Sequence, residues 1–440
     1  MIYHALVEKF IFPLSDIILG LSIKKEINIW RSLQWYSADR LEKIQMDRLS
    51  KILMHSFNNV PYYSQLKKDI VDTNNYHPLD ILKSLPFLTK KIIKDNLPSN
   101  IIDKNRKIYY IDRTSGSTGV HGEFYSDKEA YSKTLAIQCL WWEWASYKFG
   151  EKSLQTGITP NRRLIKAIKD ILFRVYYRPA FDLNDKNILS DLKYIQNKNI
   201  KYLMGYASSL STYAKVSEKY GISDIQLESI ISWGDKLYPH YRKSIKRVFN
   251  ADVYDTYGSC EGTMIAAECE NHKYHIMTPH VYIELLDKNG NEVNPGEIGE
   301  IFVTRLDNYL MPLIRYKIGD LAIKSNNKKC ACNRQLPMLE KIIGRETDII
   351  YTPQGKPLII HFFTGIFEHF SEINQFQIVD KEDYGIEIRY IPGENFQESI
   401  LENILNEIYE KADEKFLIQF ISVDDIKPTN SGKLQMIIKS

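Results

Sequence analysis

Residues 114–119 form an unbroken run of small residues, Thr-Ser-Gly-Ser-Thr-Gly, shortly after the apolar, β-rich stretch 107–111. Glycine lets the chain curl without a Cβ clash, so such a run can turn several backbone N–H groups and hydroxyls toward one anion. The Gly-Lys-Ser/Thr ending of the nucleoside-triphosphatase loop is missing. The run therefore predicts a phosphate cradle of another kind, and a serine-rich surface turn is the ordinary alternative.

A second segment whose residues could take part in chemistry is 254–262, which follows an expected strand at Val253-Tyr254. A tyrosine ring beside glycines can stack on a purine base, and a nearby carboxylate such as Glu261 can hold Mg²⁺. The alternative is a plain turn with one exposed glutamate.

Two further segments each carry one charged residue next to glycine. In 313–320, Asp320 follows Gly319 at an expected strand end, where an acceptor suits ribose hydroxyls; aspartate is also a common turn residue. In 429–433, Lys433 lies on a Ser/Gly tip near the C-terminus, where a lysine is ordinarily solvated surface.

The elements that must position these residues read as an α/β fold. Residues 1–70 show mainly helical spacing, and from 80 to 330 short β-rich runs alternate with helices, as in a largely parallel sheet. Beyond Gly344 the pattern becomes a small α+β unit. We predict a large domain at 1–344, with layered sheets and helices, and a small mobile C-terminal α+β domain at 345–440.

Composition narrows the class of protein. A chain of 440 residues is too long to fold around one compact core, so we expect at least two domains. Its net charge is +3 and its acidic and basic residues are interleaved, which gives no indication of a nucleic-acid partner. Five unevenly placed cysteines do not suggest a disulfide framework. The apolar run Phe10 to Leu21 is shorter than the ~20 residues of a membrane span and lacks signal-peptide features. We expect a cytoplasmic protein whose N-terminal helix is packed or lies at a membrane interface.

The order of the four segments resembles the adenylate-forming superfamily, from about residue 80 to the C-terminus. The branch it most resembles is the phenylacetate–CoA ligase-like group, which includes capsule-biosynthesis relatives. The marks of that branch are Asn59-Val60-Pro61-Tyr62-Tyr63, the stretch 311–316 (Met-Pro-Leu-Ile-Arg-Tyr), and a downstream Cys-x-Cys. The sequence departs from the family at 120–123 after the glycines, and at Cys260, where a threonine is usual.

The resemblance implies a nucleotide-binding set and ATP as its ligand. The implied residues are Thr114, Ser115, Gly116, Ser117, Thr118, Gly119, Gly234, Asp235, Asp255, Thr256, Tyr257, Gly258, Ser259, Asp320 and Arg345. The run 114–119 would wrap the phosphates, Tyr257 would stack on adenine, and Asp255 with the backbone near Gly234 would read the adenine edge. Asp320 and Arg345 would bind the ribose hydroxyls.

The resemblance also implies catalytic roles for Lys433, Glu261 and Thr114. Glu261 would hold Mg²⁺, and Lys433 would reach the α-phosphate and the substrate carboxylate. Asp348 would be the hinge about which the small domain turns. Joining a carboxylate to AMP brings two anions together, so positive charge must meet the oxygens that gain charge in the transition state.

Cysteine and histidine spacing suggests a metal. Cys269, a histidine at 272 or 275, Cys330 and Cys332 supply the ligands of a tetrahedral Zn²⁺. The resemblance favours His275, and the site would be structural. Reduced cysteines without a ligand are the alternative.

Aromatic residues are candidate walls of an acyl pocket, although such residues are often plain core. They are Trp141, Trp142, Trp144, Tyr206 and Trp233. The resemblance implies ATP-dependent activation of a carboxylic acid, then transfer to coenzyme A. Two alternatives stay open: transfer to an amine of an amino sugar or amino acid for surface polysaccharide, and nucleotide binding without turnover. The sequence leaves the acid and the oligomeric state open.

Overall fold

The computed structural model describes residues 2–67, 77–113, 122–157, 164–180, 183–259, 261–327, 329–345, 349–367, 369–370, 372–381, 385–393, 395–426 and 436–439. The chain divides into two compact units. The first comprises Met1–Leu237, Tyr241–Ile318 and Ala322–Lys341, and the second comprises Tyr238–His240, Gly319–Leu321 and Ile342–Ser440.

Helices dominate the start of the chain, as the spacing predicts. The helices are α1 (Ile2–Leu6), a π-helix (Val7–Ile11), α2 (Phe12–Leu19), α3 (Ile23–Leu33), α4 (Ala38–Asn59), α5 (Pro61–Leu66), α6 (Pro78–Ser84), α7 (Lys90–Asn96), α8 (Lys128–Trp144), α9 (Leu164–Leu172), α10 (Asp185–Lys198), α11 (Ala207–Lys219), α12 (Pro239–Phe249), α13 (Ile360–Phe367) and α14 (Ser399–Ala412). Local sequence fixes the ends of α4: Ser37 accepts a hydrogen bond from the Arg40 N–H at its start, and Pro61 lies two residues after its last residue, Asn59.

Strands make up most of the remaining described chain. They are β1 (Tyr110–Arg113), β2 (Glu123–Ser126), β3 (Ser153–Gly157), β4 (Val175–Pro179), β5 (Tyr202–Tyr206), β6 (Ser229–Trp233), β7 (Asp252–Ser259), β8 (Thr263–Glu268), β9 (Tyr274–Ile276), β10 (Val281–Leu286), β11 (Ile298–Arg305), β12 (Tyr316–Lys324), β13 (Met338–Arg345), β14 (Ile349–Tyr351), β15 (Pro357–Ile359), β16 (Ile373–Asp380), β17 (Ile386–Pro392), β18 (Ile418–Ser422) and β19 (Ile437–Lys439).

An eleven-stranded mixed sheet forms the framework, in the order β10-β11-β12-β13-β9-β8-β7-β6-β5-β3-β4. The strands from β7 to β4 in this order are parallel, whereas β7, β8 and β9 pair antiparallel. The parallel part confirms the α/β prediction, and β10 and β11 pair antiparallel at one edge of the sheet.

Helices cover both faces of the parallel strands. Because neighbouring residues of a strand point to opposite faces, Met204 of β5 joins the core cluster under α3 and α8, and Leu203 joins the cluster under α10 and α11. Strands buried on both faces read as continuous apolar runs, which is why the sequence shows them clearly.

The second unit contains a hairpin, β14–β15, and a four-stranded sheet in the order β18-β17-β16-β19. Its core includes Phe363 and Ile366 of α13, Ile404 of α14 and Ile388 of β17. The predicted α+β pattern beyond Gly344 is therefore found. Whether this unit moves as a lid stays a prediction.

Two local expectations were wrong. The strand expected at Val253-Tyr254 continues through Ser259, so most of the segment 254–262 lies within strand β7 instead of following a strand. Asp320 lies inside β12 rather than at a strand end. In both cases strand pairing to a distant partner extends the element beyond what its local residues indicate.

Candidate functional site

Glu261 lies in the connection between β7 and β8 and is 4% exposed. Its Oε1 accepts a hydrogen bond of 2.7 Å from the Tyr316 hydroxyl, and the Lys90 ammonium is 3.8 Å away. Among the described residues its second oxygen, Oε2, has no hydrogen-bond or ion-pair partner. A buried carboxylate with one oxygen left over can hold a cation.

Gly262 is where three distant segments meet. Its φ of +72° favours glycine, and a Cβ there would lie 2.9 Å from Nη1 of Arg305 and 3.4 Å from Oδ2 of Asp112. Arg305 ends β11 and Asp112 belongs to β1, so this glycine lets a cation and a carboxylate approach beside Glu261.

The Arg305 side chain is fully buried and donates hydrogen bonds to three residues. Its Nε donates to Oδ1 of Asp307 at 3.1 Å, and its Nη2 donates to the Ala130 carbonyl and to Oγ1 of Thr134. The Thr134 hydroxyl in turn donates to the Gly262 carbonyl at 3.0 Å. Within the described ranges Nη1 has no hydrogen-bond acceptor, so one guanidinium nitrogen is directed at the Gly262 corner without a partner of its own.

Asp307 has a second partner that completes this support. Its Oδ2 lies 2.6 Å from Nδ1 of His280, while the Met264 N–H donates to Nε2 of the same ring. Nε2 is therefore the acceptor and Nδ1 carries the proton. Burial lowers the pKa of His280, and Asp307 opposes that shift, which agrees with a neutral ring.

The charges at the Gly262 corner perturb Asp112. Burial raises the pKa of its carboxyl to about 6, Arg305 opposes the shift, and the charge of Glu261 adds to it. The corner therefore holds two carboxylates that compete for the same positive charge.

The phosphate-cradle run 114–119 lies outside the described residues, but both of its flanks are described. Strands β1 and β2 form an antiparallel hairpin in which Arg113 pairs with Glu123. The Arg113 Nε donates to the Glu123 carboxylate at 2.9 Å, and the Tyr125 hydroxyl donates to its other oxygen. Asp112, two residues before this run, is thus close enough to Glu261 for that charge to raise its pKa.

A second group of predicted residues collects at the carboxyl ends of the parallel strands. Tyr206 of β5 is in register with Trp233 of β6, and Ser232 is in register with Asp255 of β7. In open α/β sheets this edge is where ligands bind. The structure therefore brings together the predicted residues from β5, β6 and β7.

At this edge the Tyr206 ring packs directly against the Gly234 backbone. Gly234 has φ +78°, and a Cβ there would lie 2.4 Å from the Tyr206 ring, so only glycine fits. The Thr256 hydroxyl donates to the Ser232 carbonyl, and the strand register shifts between Tyr257 and Gly258. A bulge of this kind re-aims the side chains around it.

Two predicted adenine-site carboxylates have other partners. The Asp235 carboxylate accepts hydrogen bonds from the Ala207 and Ser208 N–H groups and caps the N-terminus of α11. The Asp255 carboxylate accepts a 2.6 Å bond from the Tyr274 hydroxyl, and burial together with Glu268 raises its pKa. The Ser232 hydroxyl also hydrogen-bonds this carboxylate, which opposes the rise in its pKa.

The aromatic residues separate into two groups. The Trp142 and Trp233 rings lie 6.2 Å apart at 31°, next to the strand ends. Trp141 and Trp144 are buried in the core, and the Trp144 Nε1–H donates to Gln34. Trp142 and Trp233 are only partly buried at the edge of this cluster, whereas Trp144 is core. Trp141 is core too, although its buried indole N–H lacks an acceptor in the described chain.

Asp320 and Arg345 belong to the second unit and form an ion pair, with 3.0 Å between Oδ1 and Nε. The structure brings together these two predicted ribose ligands. The predicted hinge Asp348 and the predicted catalytic Lys433 lie outside the described residues.

The four predicted metal ligands also come together. The ligand atoms of Cys269, His275, Cys330 and Cys332 all lie within 4.8 Å of one another. The Cys269 and Cys330 sulfurs are 3.6 Å apart, and Cys332 Sγ is 3.3 Å from Nε2 of His275. Two thiolates on a tetrahedral Zn²⁺ would lie ~3.8 Å apart, given Zn–S bonds of ~2.3 Å.

The neighbours of the two histidines decide which one joins the cluster. His275 Nδ1 is 3.1 Å from the Leu336 carbonyl, so a proton on Nδ1 leaves Nε2 free to bind a metal. His272 instead lies beside Glu268 and Arg242. The cysteines Cys269 and Cys332 and the ring of His275 are buried, which agrees with a structural centre.

Sequence analysis assigned no site role to Asp112, Lys90, Arg305 or Tyr316. Asp112 lies two residues before the small-residue run, and Tyr316 lies inside the motif 311–316. Their closeness in sequence to these motifs could have indicated that both belong to the site. Arg305 contacts residues about 175 positions away along the chain, and no local pattern reveals such a contact.

Comparisons with known proteins agree with this geometry. Residues 173–309 match the family described as AMP-binding enzyme, and residues 350–440 match the CapK C-terminal domain. A phenylacetate-coenzyme A ligase of Thermus thermophilus is 22% identical over 72% of this chain and 73% of its own. Protein CapK of Staphylococcus aureus is 24% identical over 91% of this chain and 89% of its own.

A solved structure shares the fold. The 2-hydroxyisobutyryl-CoA ligase, crystallised in the postadenylation state with an acyl-adenylate, matches with a TM-score of 0.74 and 16% identity. The match covers 92% of this chain and 91% of that one. The predicted fold class is confirmed.

We predict that Asp112→Asn stabilises the protein at neutral pH. A carboxyl whose folded pKa is about 6, against 3.8 unfolded, lowers stability progressively as pH rises through that window. Above this pH window the ionised Asp112 carboxylate lowers the free energy of unfolding by about 2–3 kcal/mol, and asparagine removes that loss.

Thermal unfolding midpoints measured across pH should show a gain for Asp112→Asn above about pH 6 that disappears below pH 3.8. Asp47→Asn, at an exposed position of α4, is the control and should show no such trend. A gain that is the same at all pH values would contradict the assignment.

Proposed function

Since the chain belongs to the adenylate-forming superfamily, in the branch of the phenylacetate–CoA ligases and CapK, we propose that it activates a carboxylic acid with ATP and passes the acyl group to coenzyme A. A carboxylate oxygen attacks the α-phosphorus, the bond to pyrophosphate breaks, and an acyl-adenylate remains. A thiolate then attacks the acyl carbon and AMP leaves. The observation that carries the proposal is that Asp112, two residues before the small-residue run, lies with Arg305 at Gly262, next to Glu261.

The phosphates are proposed to lie against residues 114–119. Glycine and hydroxyl-bearing residues offer many donors to phosphate oxygens. The pairing of β1 with β2 supports this role because it brings Arg113, before the run, next to Glu123, after it.

Glu261 is proposed to hold Mg²⁺. The residues fit a hard cation because Oε2 has no partner among the described residues while Tyr316 orients the other oxygen. When bound, Mg²⁺ would neutralise phosphate charge. The chain's own part is orientation: Tyr316 and Lys90 hold the carboxylate, and Arg305 balances Asp112 beside it.

The adenine is proposed to stack on Tyr257, between the ends of β6 and β7. Gly234 lets the Tyr206 ring approach the backbone at this edge, and the buried Asp255 carboxylate would supply an acceptor for an exocyclic amine. Asp320, oriented by Arg345, would accept hydrogen bonds from the ribose.

Lys433 is proposed to approach the α-phosphate and the carboxylate, carried by a turn of the small domain about Asp348. One ammonium group and one divalent cation suffice for this chemistry, since no protein nucleophile is needed. Lys433 would also help to exclude water from the acyl-adenylate, a reactive anhydride.

The acyl group is proposed to be a flat aryl or medium-length chain, because Trp142, Trp233 and Tyr206 offer aromatic walls. The match to protein CapK over 91% of the chain supports a second candidate acceptor. In that alternative the acyl-adenylate passes to an amine of an amino sugar or amino acid for surface polysaccharide.

The first test is carboxylate-dependent exchange of labelled pyrophosphate into ATP, screened over aryl and aliphatic acids. We expect exchange with at least one acid, and Lys433→Ala should lower it by roughly 10²-fold or more while ATP still binds. Lys415→Ala, at an exposed position of the same unit, is the matched control and should retain exchange. No exchange with any acid would favour nucleotide binding without turnover.

The second test separates the acceptors. With the acid found by exchange, enzyme and ATP are incubated with coenzyme A or with amino sugars and amino acids, and products are identified by mass spectrometry. We expect the acyl-CoA thioester and no faster AMP release with amines. An amide formed more rapidly than the thioester would replace the proposed acceptor with the alternative one.

We further propose that Cys269, His275, Cys330 and Cys332 bind a structural Zn²⁺. Four ligands leave no open position, so the ion would take no part in the reaction. It would join the turn before β9 to the loop before β13, beside Trp144, whose ring lies 6.0 Å from that of His275.

We predict about one zinc per chain in the purified protein. Cys330→Ser with Cys332→Ser should abolish the bound zinc and lower the thermal midpoint by several degrees, as measured by elemental analysis and calorimetry. Cys139→Ala, at a buried cysteine outside the cluster, should keep the zinc even if its midpoint falls. Full zinc content in the double variant would contradict the assignment.

A further inference from the structure

The N-terminal helices expose an apolar stripe. Phe10 of the π-helix and Leu14, Ile17 and Ile18 of α2 are 57–77% exposed. Their spacing, i, i+4, i+7 and i+8, places them on one helix face. Phe12 and Asp16, between them, are buried, so the opposite face packs on the protein.

Helix α9 repeats the same pattern. Leu164, Ile168, Ile171 and Leu172 follow the same spacing and are 37–76% exposed. Single exposed apolar residues are ordinary, but two such stripes, each one helix face wide, are not.

The N-terminal helices meet the end of α9 and the residues after it at one core cluster. The Tyr3 hydroxyl donates to the Leu172 carbonyl at 2.9 Å, and the Arg174 guanidinium stacks 3.4 Å from the Tyr3 ring. The rings of Phe12 and Phe173 meet edge-on at 5.5 Å, and both belong to the cluster under α8. Because Phe12 of α2 and Phe173 after α9 are in contact, the two exposed stripes belong to neighbouring parts of the surface.

Exposed charge around these stripes has one sign. Lys9, Lys166, Lys169 and Arg174 are exposed. The acids of the same segments are not: Asp16 and Asp170 are buried, and Glu8 forms ion pairs with Lys24 and Arg31. The surface is therefore apolar with a basic surround.

We propose that this surface, formed by α2 and α9 and named here the α2–α9 face, docks the protein on a membrane that contains anionic lipids. Apolar side chains at one helix face enter the boundary between headgroups and acyl chains, and the lysines meet the negative headgroups. No helix in the described part of the chain is long and apolar enough to span a bilayer, so the attachment is peripheral.

A second copy of the chain fits this face less well. A symmetric dimer brings a patch against itself, so the basic residues around one face would meet the same basic residues of the other. Like charges set together at an interface are repulsive, whereas anionic headgroups complement them.

The test is cosedimentation of the full chain with vesicles of phosphatidylcholine alone or mixed with phosphatidylglycerol. The apolar variants are Ile17→Gln with Ile18→Gln, and Leu164→Gln with Ile171→Gln. The charge variant is Lys166→Gln with Lys169→Gln. Leu417→Gln with Ile421→Gln, at exposed apolar positions in the second unit, is the control. Circular dichroism and thermal melting confirm that each variant is folded.

We expect wild type to bind the mixed vesicles and to bind phosphatidylcholine more weakly. Each apolar pair should weaken binding at least tenfold or so. The lysine pair should weaken binding to mixed vesicles by roughly fivefold per charge and leave phosphatidylcholine binding almost unchanged. The control should behave as wild type.

Three results would overturn the proposal. They are no binding of wild type to either vesicle, binding unaffected by both apolar pairs, and an equal loss in the Leu417 and Ile421 control. Light scattering supplies a fourth: a wild-type dimer in solution that the apolar pairs convert to monomer would assign the face to a second copy of the chain.

Discussion

A buried arginine sets the geometry of the candidate site. A guanidinium stays charged at every accessible pH, so Arg305 must be compensated wherever it is buried. Asp307 balances it from one side, and Ala130 and Thr134 accept from it, which locks β11 against α8. The remaining nitrogen is directed at Gly262 and Asp112. The position of Glu261 beside this corner follows from that buried charge.

The fold was largely readable from the sequence because its signals are local. The parallel strands β5 and β6 are buried on both faces and appear as apolar runs, and the helices between them have clear caps and periodicity. The order of the motifs pointed to the family, which the comparisons support. Asp320 failed as a strand-end residue because the extent of β12 is decided by pairing with strands far away in sequence.

The candidate site was readable only in part, for the same reason. Cys269, His275 and the Cys-x-Cys pair could be grouped because thiol and imidazole side chains have a known geometry around Zn²⁺. Arg305, Lys90 and Asp112 could not, since each is an ordinary charged residue until the fold brings it beside Glu261. Burial, which raises the pKa of Asp112, likewise exists only in the folded chain.

The charge balance at Gly262 also says what the site lacks. Among the described residues the carboxylates of Asp112, Glu261 and Asp307 face the cations Arg305 and Lys90, so the corner has no excess of positive charge before any ligand enters. A triphosphate and a carboxylic acid would add several negative charges to a site whose described cations, Arg305 and Lys90, already face carboxylates. On the proposed function, a metal ion at the free oxygen of Glu261 and a mobile lysine would both be needed, because either one alone would leave phosphate charge uncompensated in a poorly solvated corner. A site of this kind would be complete only when its substrates are bound, and it would be inactive until both cations are in place.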